Sequence, residues 1–94
     1  MDKQAFSGAM DAYLQDLKDL SAKLHEQAGG MAGTVREQAD AAIADIGRGR
    51  DALAERLPHA RTASGGRWRE SKVSIAAARA ELERKVDDAM KKFE

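Results

Sequence analysis

Cysteine is absent from the 94 residues, which removes disulfides, thiol nucleophiles and Cys-ligated zinc and agrees with a reducing, cytoplasmic setting. Proline occurs once, at Pro58, so little in the chain forbids helix. Aromatic residues make up 4%, and with β-branched residues also scarce there is little to build strands from. The longest uninterrupted apolar stretch, Ile75 to Ala78, is far too short to cross a bilayer, and Met1-Asp2-Lys3-Gln4 opens into no apolar leader. Large apolar side chains are few as well: 21 residues from Val, Ile, Leu, Met, Phe, Trp and Tyr stand against 19 alanines. Such a thin supply leaves one small domain short of core, a shortage that self-association would relieve. The formal net charge of zero argues against disorder driven by charge repulsion.

What is abundant is the set of residues that lose least on entering a helix: Ala, Leu, Glu, Lys, Gln and Arg. Phe6, Met10, Tyr13, Leu17, Leu20 and Leu24 recur in alternating steps of four and three, a coiled-coil seam. The stripe weakens at Gly29, Gly30 and Gly33, each worth about 1 kcal/mol against helix relative to alanine, and a break or bend is expected there; a helix running through with a kinked middle is the alternative. Thr34, with Glu37 in capping-box spacing, offers a new start. A second apolar face follows at Val35, Ala39, Ala42, Ile46, Leu53 and Leu57, broadened by Ile43 and interrupted by Gly47-Arg48-Gly49-Arg50. Leu57-Pro58 reads as its end, because proline disfavours helix in the residue before it. A third stripe, Trp68, Ile75, Leu82, Val86, Ala89 and Phe93, begins after a cap at Ser64 or Ser71, with Lys72 and Arg79 snorkelling at intervening seam positions. The expectation is an all-α fold in one unit, residues 1–94, with helices near 3–28, 34–57 and 66–93 and a linker at 58–65. It forms a helical hairpin or three-helix bundle.

Charge is segregated along the chain. Residues 1–46 carry 4 basic and 8 acidic groups, residues 47–72 carry 7 and 3, and residues 73–94 carry 5 and 5. The basic block, Arg48, Arg50, Arg56, Arg61, Arg67, Arg69 and Lys72, is a candidate anion-binding segment for nucleic acid or anionic lipid, without any nucleic-acid fold signature beside it. The favoured reading pairs this block with the acidic N-terminal half as helices fold back or chains associate. His25 and His59 stand at no metal-ligand spacing. Glu81 with Glu83, and Asp87 with Asp88, do not converge on a point. Glu83 and Asp87 share a face but sit among Arg84, Lys85 and Lys91, as ordinary surface pairing. Gly47-Arg48-Gly49-Arg50-Asp51 lacks the strand, the third glycine and the Lys-Ser/Thr ending of a phosphate loop. Trp68 is expected to pack at a helix corner against Leu53 or Leu57.

Ala63-Ser64-Gly65-Gly66-Arg67-Trp68-Arg69-Glu70-Ser71-Lys72, followed by Ile75, Leu82 and Phe93, resembles the ASGxxWxxxK signature of small bacterial coiled-coil proteins described as stress-response proteins. Gln4-Ala5-Phe6 and the Leu14-Gln15-Asp16-Leu17 stretch are similar to that family's start. The resemblance implies a helical coiled-coil protein and supplies no molecular activity. Leu17 and Arg79 stand where the family pattern has an aromatic residue, and the middle is richer in glycine.

Together these features point to a non-catalytic structural protein that uses no cofactor or metal and associates with itself. Its seams are Met10, Tyr13, Leu17, Leu20 and Leu24, and Ile75, Leu82, Val86 and Phe93, with a stress-related role implied by the resemblance. An unidentified protein partner fits the same reading. The alternatives are reversible amphipathic-helix binding to an anionic membrane or granule surface, and nucleic-acid binding through residues 48–72. Both are less favoured, the first because alanines bury little area at an interface.

Overall fold

The computed structural model describes residues 2–93. Three helices follow in order: α1 (Lys3–Ala28), α2 (Gly33–Thr62) and α3 (Gly65–Lys92). Helix α2 packs against both of the others, and the molecule is a rod of 51 × 18 × 17 Å. Short connections force α1 and α2, and then α2 and α3, to run antiparallel, so α1 and α3 run parallel. The core is one continuous cluster of buried apolar side chains along the axis, of which Leu24, Ile46, Leu53 and Ile75 are the largest fully enclosed. No described polar or charged residue is buried.

Helix α1 begins at Asp2, whose carboxylate accepts from the Ala5 backbone N–H at 2.7 Å, satisfying one of the free donors of a helix start. It ends at the glycine-rich turn as expected, with the Gly29 N–H donating to the His25 carbonyl and the Gly30 N–H to that of Gln27. The chain therefore breaks between α1 and α2 instead of kinking through. The capping box anticipated at Thr34 does not form: the N-cap of α2 is Ala32, without a side-chain cap bond. Gly33 adopts φ +63° at that start, a left-handed conformation that glycine tolerates and other residues rarely do. Val35, expected on the apolar face, is 56% exposed, because the turn delays the inward face of α2 until Ala39.

The expected end of the second helix at Leu57 and the linker at 58–65 are corrected by the structure. Helix α2 continues through Pro58 to Thr62, leaving only Ala63 and Ser64 between α2 and α3. Proline removes the N–H that would bond to the Ala54 carbonyl and crowds it, at about 3 kcal/mol in a helix interior. Tertiary contacts offset that cost. Ala60 is fully buried, and Arg61 makes a 2.7 Å ion pair with Asp11 of α1. The Lys3 ammonium donates to the carbonyls of Ala63 and, at 3.3 Å, Arg61, and a cation at a helix C-terminus is also favoured by the helix dipole. Pro58 and Ala54 both lie on the exposed side, where water can solvate the freed carbonyl.

Gly49 has a specific packing role. A Cβ placed there would lie 2.5 Å from Leu82 Cδ1, so the missing side chain is what lets Leu82 of α3 seat against the backbone of α2. The glycines of the Gly47-Arg48-Gly49-Arg50 segment thus remain helical, and at Gly49 the cost in helix propensity is offset by close helix approach.

Candidate functional site

All nine residues of the sequence-predicted self-association seams point into the chain's own core. Met10, Leu17, Leu24, Ile75 and Leu82 are buried, and Tyr13, Leu20, Val86 and Phe93 are half-buried against the same cluster. The heptad faces therefore meet one another within a single copy. Association through these same faces would require the bundle to open.

Large side chains bridge α1 and α3. At the end holding the α1 start, the Phe6 and Trp68 rings meet edge-to-face at 5.5 Å and 81°, and Lys3 Nζ lies 5.5 Å from the Trp68 ring centre. Trp68 is thus a helix-corner residue as expected, but its ring partner is Phe6 of α1. Halfway along, the Arg79 guanidinium lies 4.4 Å from the Tyr13 ring centre while its Nε donates to Glu83 at 2.9 Å. The snorkelling expected of Arg79 is thereby given a partner. Burial raises the Tyr13 phenol pKa above its ordinary value; the Glu83 carboxylate adds to the rise, Arg79 opposes it and Asp87 adds again. The Tyr13 hydroxyl is enclosed with no hydrogen-bond partner, as are those of Ser7 and Ser21.

The basic block does not gather on one face. Arg48 bonds to Asp45, Arg50 lies 3.7 Å from Asp51, and Arg61 pairs with Asp11. Arg50 and Arg61, eleven residues and three turns apart, share the side of α2 toward α1. Arg56 instead lines the α2–α3 groove. Arg67 and Arg69 are exposed on the first turns of α3, and Lys72 is half-buried. Acidic neighbours therefore interrupt the row that a polyanion backbone would track. The Asp11–Arg61 pair is one instance of the attraction expected between the acidic first half and the basic middle.

The grooves between α2 and α3 are shallow and open. One, of about 320 Å³, is floored by Gly49, Ala52, Leu53 and Ala78 and rimmed by Arg56, Glu81 and Lys85. Beside it, His59, Glu70 and Ser71 line a second groove. These are residue types of nucleophile and base chemistry, but no hydrogen bond joins them among the described residues, so no nucleophile–base alignment is built. His25 and His59 are both exposed. No cluster with metal-ligand geometry occurs among the described residues, and no described helix is long and apolar enough to cross a membrane.

What sequence reasoning missed lies where small residues meet. Pro58 places Ala60 in a linker on sequence grounds alone, and the Gly49–Leu82 contact has no signature in spacing. Fold and surface define a small all-helical bundle whose distinctive features are its outward helix faces. The chain matches no family model, no curated protein and no solved structure.

Proposed function

We propose that this chain is a non-catalytic structural protein that works by binding a second copy of itself through an outward helix face. The supporting observation is Val73, which remains 70% exposed in the first half of α3 beside the exposed alanines Ala76, Ala77 and Ala80. With the heptad seams occupied inside the bundle, this apolar stretch is left for association without unfolding. The similarity of residues 63–72 to the signature of small bacterial coiled-coil stress proteins supports a stress-related role, and the lack of cysteine fits a cytoplasmic setting. Sedimentation equilibrium over a wide concentration range tests the association: a mass that rises reversibly with concentration supports it, and the mass of one chain throughout refutes it.

A further inference from the structure

The outside of α3 carries a second heptad row that the core does not use. Gly66, Glu70, Val73, Ala77, Ala80, Arg84 and Asp87 follow in alternating steps of four and three, and every one is exposed. Such a row forms a continuous seam on a helix surface. Its centre is apolar and small, its N-terminal flank acidic at Glu70 and its C-terminal flank basic at Arg84. Among the described residues, neither Glu70 nor Arg84 makes an ion pair within the chain.

Glu70 and Arg84 lie equally far, seven residues or two heptad turns, on either side of Ala77. They are about 21 Å apart along the helix, too far to pair with each other in one copy. A two-fold axis through Ala77, with the two α3 helices antiparallel, sets Glu70 of each copy opposite Arg84 of the other. The same operation brings Val73 level with the partner's Ala80 and the partner's Glu81, and Arg67 level with the partner's Asp87 and the partner's Asp88. Ala77 meets its own equivalent on the axis, where its small side chain permits close approach. Two-fold interfaces are self-complementary in this way, each patch meeting itself reversed. A parallel arrangement would instead put Glu70 beside Glu70 and Arg84 beside Arg84, which like-charge repulsion disfavours.

The geometry points to an antiparallel α3–α3 homodimer centred on Ala77, in which charge complementarity selects a second copy of this chain as the occupant. This rests on the self-association proposed above and adds its face, register and direction. The contact is a single helix row with few large side chains, so the dimer belongs to the small, reversible class of interface.

The test uses the full chain and its exposed charges. Glu70→Arg and Arg84→Glu each place like charges opposite one another at both ends of the seam, and each is expected to weaken the dimer by about tenfold or more. Mixing the two variants in equal amounts is expected to restore association, because every facing pair in the heterodimer is again opposite in sign. The double variant Glu70→Arg/Arg84→Glu is expected to self-associate like the parent for the same reason. Circular dichroism confirms that each variant keeps its helices. Ala77→Glu and Ala77→Lys give a second pair, apart when separate and associated when mixed, that does not depend on the flanking sites. If the parent chain associates and the single variants associate equally well, or their mixture stays monomeric, this face is overturned while self-association stands. A parent chain that is monomeric at every concentration overturns both.

Discussion

Two glycines two residues apart on α2 should respond differently to the same substitution. A Cβ on Gly47 would meet nothing within 4 Å, whereas a Cβ on Gly49 would come within 2.5 Å of Leu82 Cδ1. Replacing either by alanine gains about 1 kcal/mol of helix propensity. At Gly47 nothing opposes the gain, so Gly47→Ala should raise the melting temperature by about 4–8 °C. At Gly49 the Leu82 methyl must retreat by about 1 Å or more to regain van der Waals distance. Leu82 is 3% exposed, so it can either crowd its core neighbours, at about 1–3 kcal/mol, or swing a methyl into the open groove, at about 0.8 kcal/mol of lost burial. Both routes cancel the propensity gain. Gly49→Ala should therefore fall between no change and about 2 kcal/mol of destabilisation, at least about 1 kcal/mol below Gly47→Ala. Urea unfolding followed by far-ultraviolet circular dichroism measures both. In a Leu82→Ala background the obstructing methyls are gone, and Gly49→Ala should there be stabilising. Stabilisation of the parent chain by Gly49→Ala as large as that by Gly47→Ala would refute the close approach of α2 and α3 at this point.

Leu17→Asp puts an unpaired carboxylate into the core and should cost about 3–5 kcal/mol, a large share of a small domain's stability; an unchanged urea midpoint would remove Leu17 from the core. Pro58→Ala restores a donor to the Ala54 carbonyl and, after the greater freedom of the unfolded chain is allowed for, should stabilise by about 2 kcal/mol; lost stability would show that the helix does not run through this position. Ser21→Ala removes an enclosed hydroxyl without a partner and should gain about 1 kcal/mol in the same assay. Tyr13 is the one tyrosine, so phenolate absorbance reports it alone and should show titration above the ordinary value of about 10. Because the folded chain holds this proton more tightly than the unfolded one, the associated stability is fully present below the ordinary value and is lost as pH rises through the raised one. Titration at or below the ordinary value would contradict the burial of the hydroxyl.

The three helices were legible because large apolar residues keep heptad spacing over long stretches. Phe6 to Leu24 declares an inward face without reference to anything else in the molecule. The break at Gly29–Gly30 was legible for a related local reason, the cost of consecutive glycines. Pro58 misled because a local penalty was outweighed by distant groups: Lys3 and Asp11 act on the last turn of α2 from the far end of α1. Gly49 misled in the same way, since its value to the fold resides in Leu82, more than thirty residues on. The anion-binding reading of Arg48 to Lys72 treated neighbours in sequence as neighbours in space, whereas helical geometry turns them toward different sides and sets Arg48, Arg50 and Arg61 beside acidic partners. The outer row of α3 was hidden because its alanines resemble filler until the inner row is known to be occupied.

An odd number of helices sends the two ends of the chain to opposite poles of the rod. A hairpin or a four-helix bundle returns its exit beside its entrance, so anything attached at both ends is gathered at one place. Here cargo joined before Lys3 and after Lys92 would be held apart by roughly the length of the bundle, 51 Å. Copies joined in tandem would therefore run on from pole to pole instead of folding back beside one another.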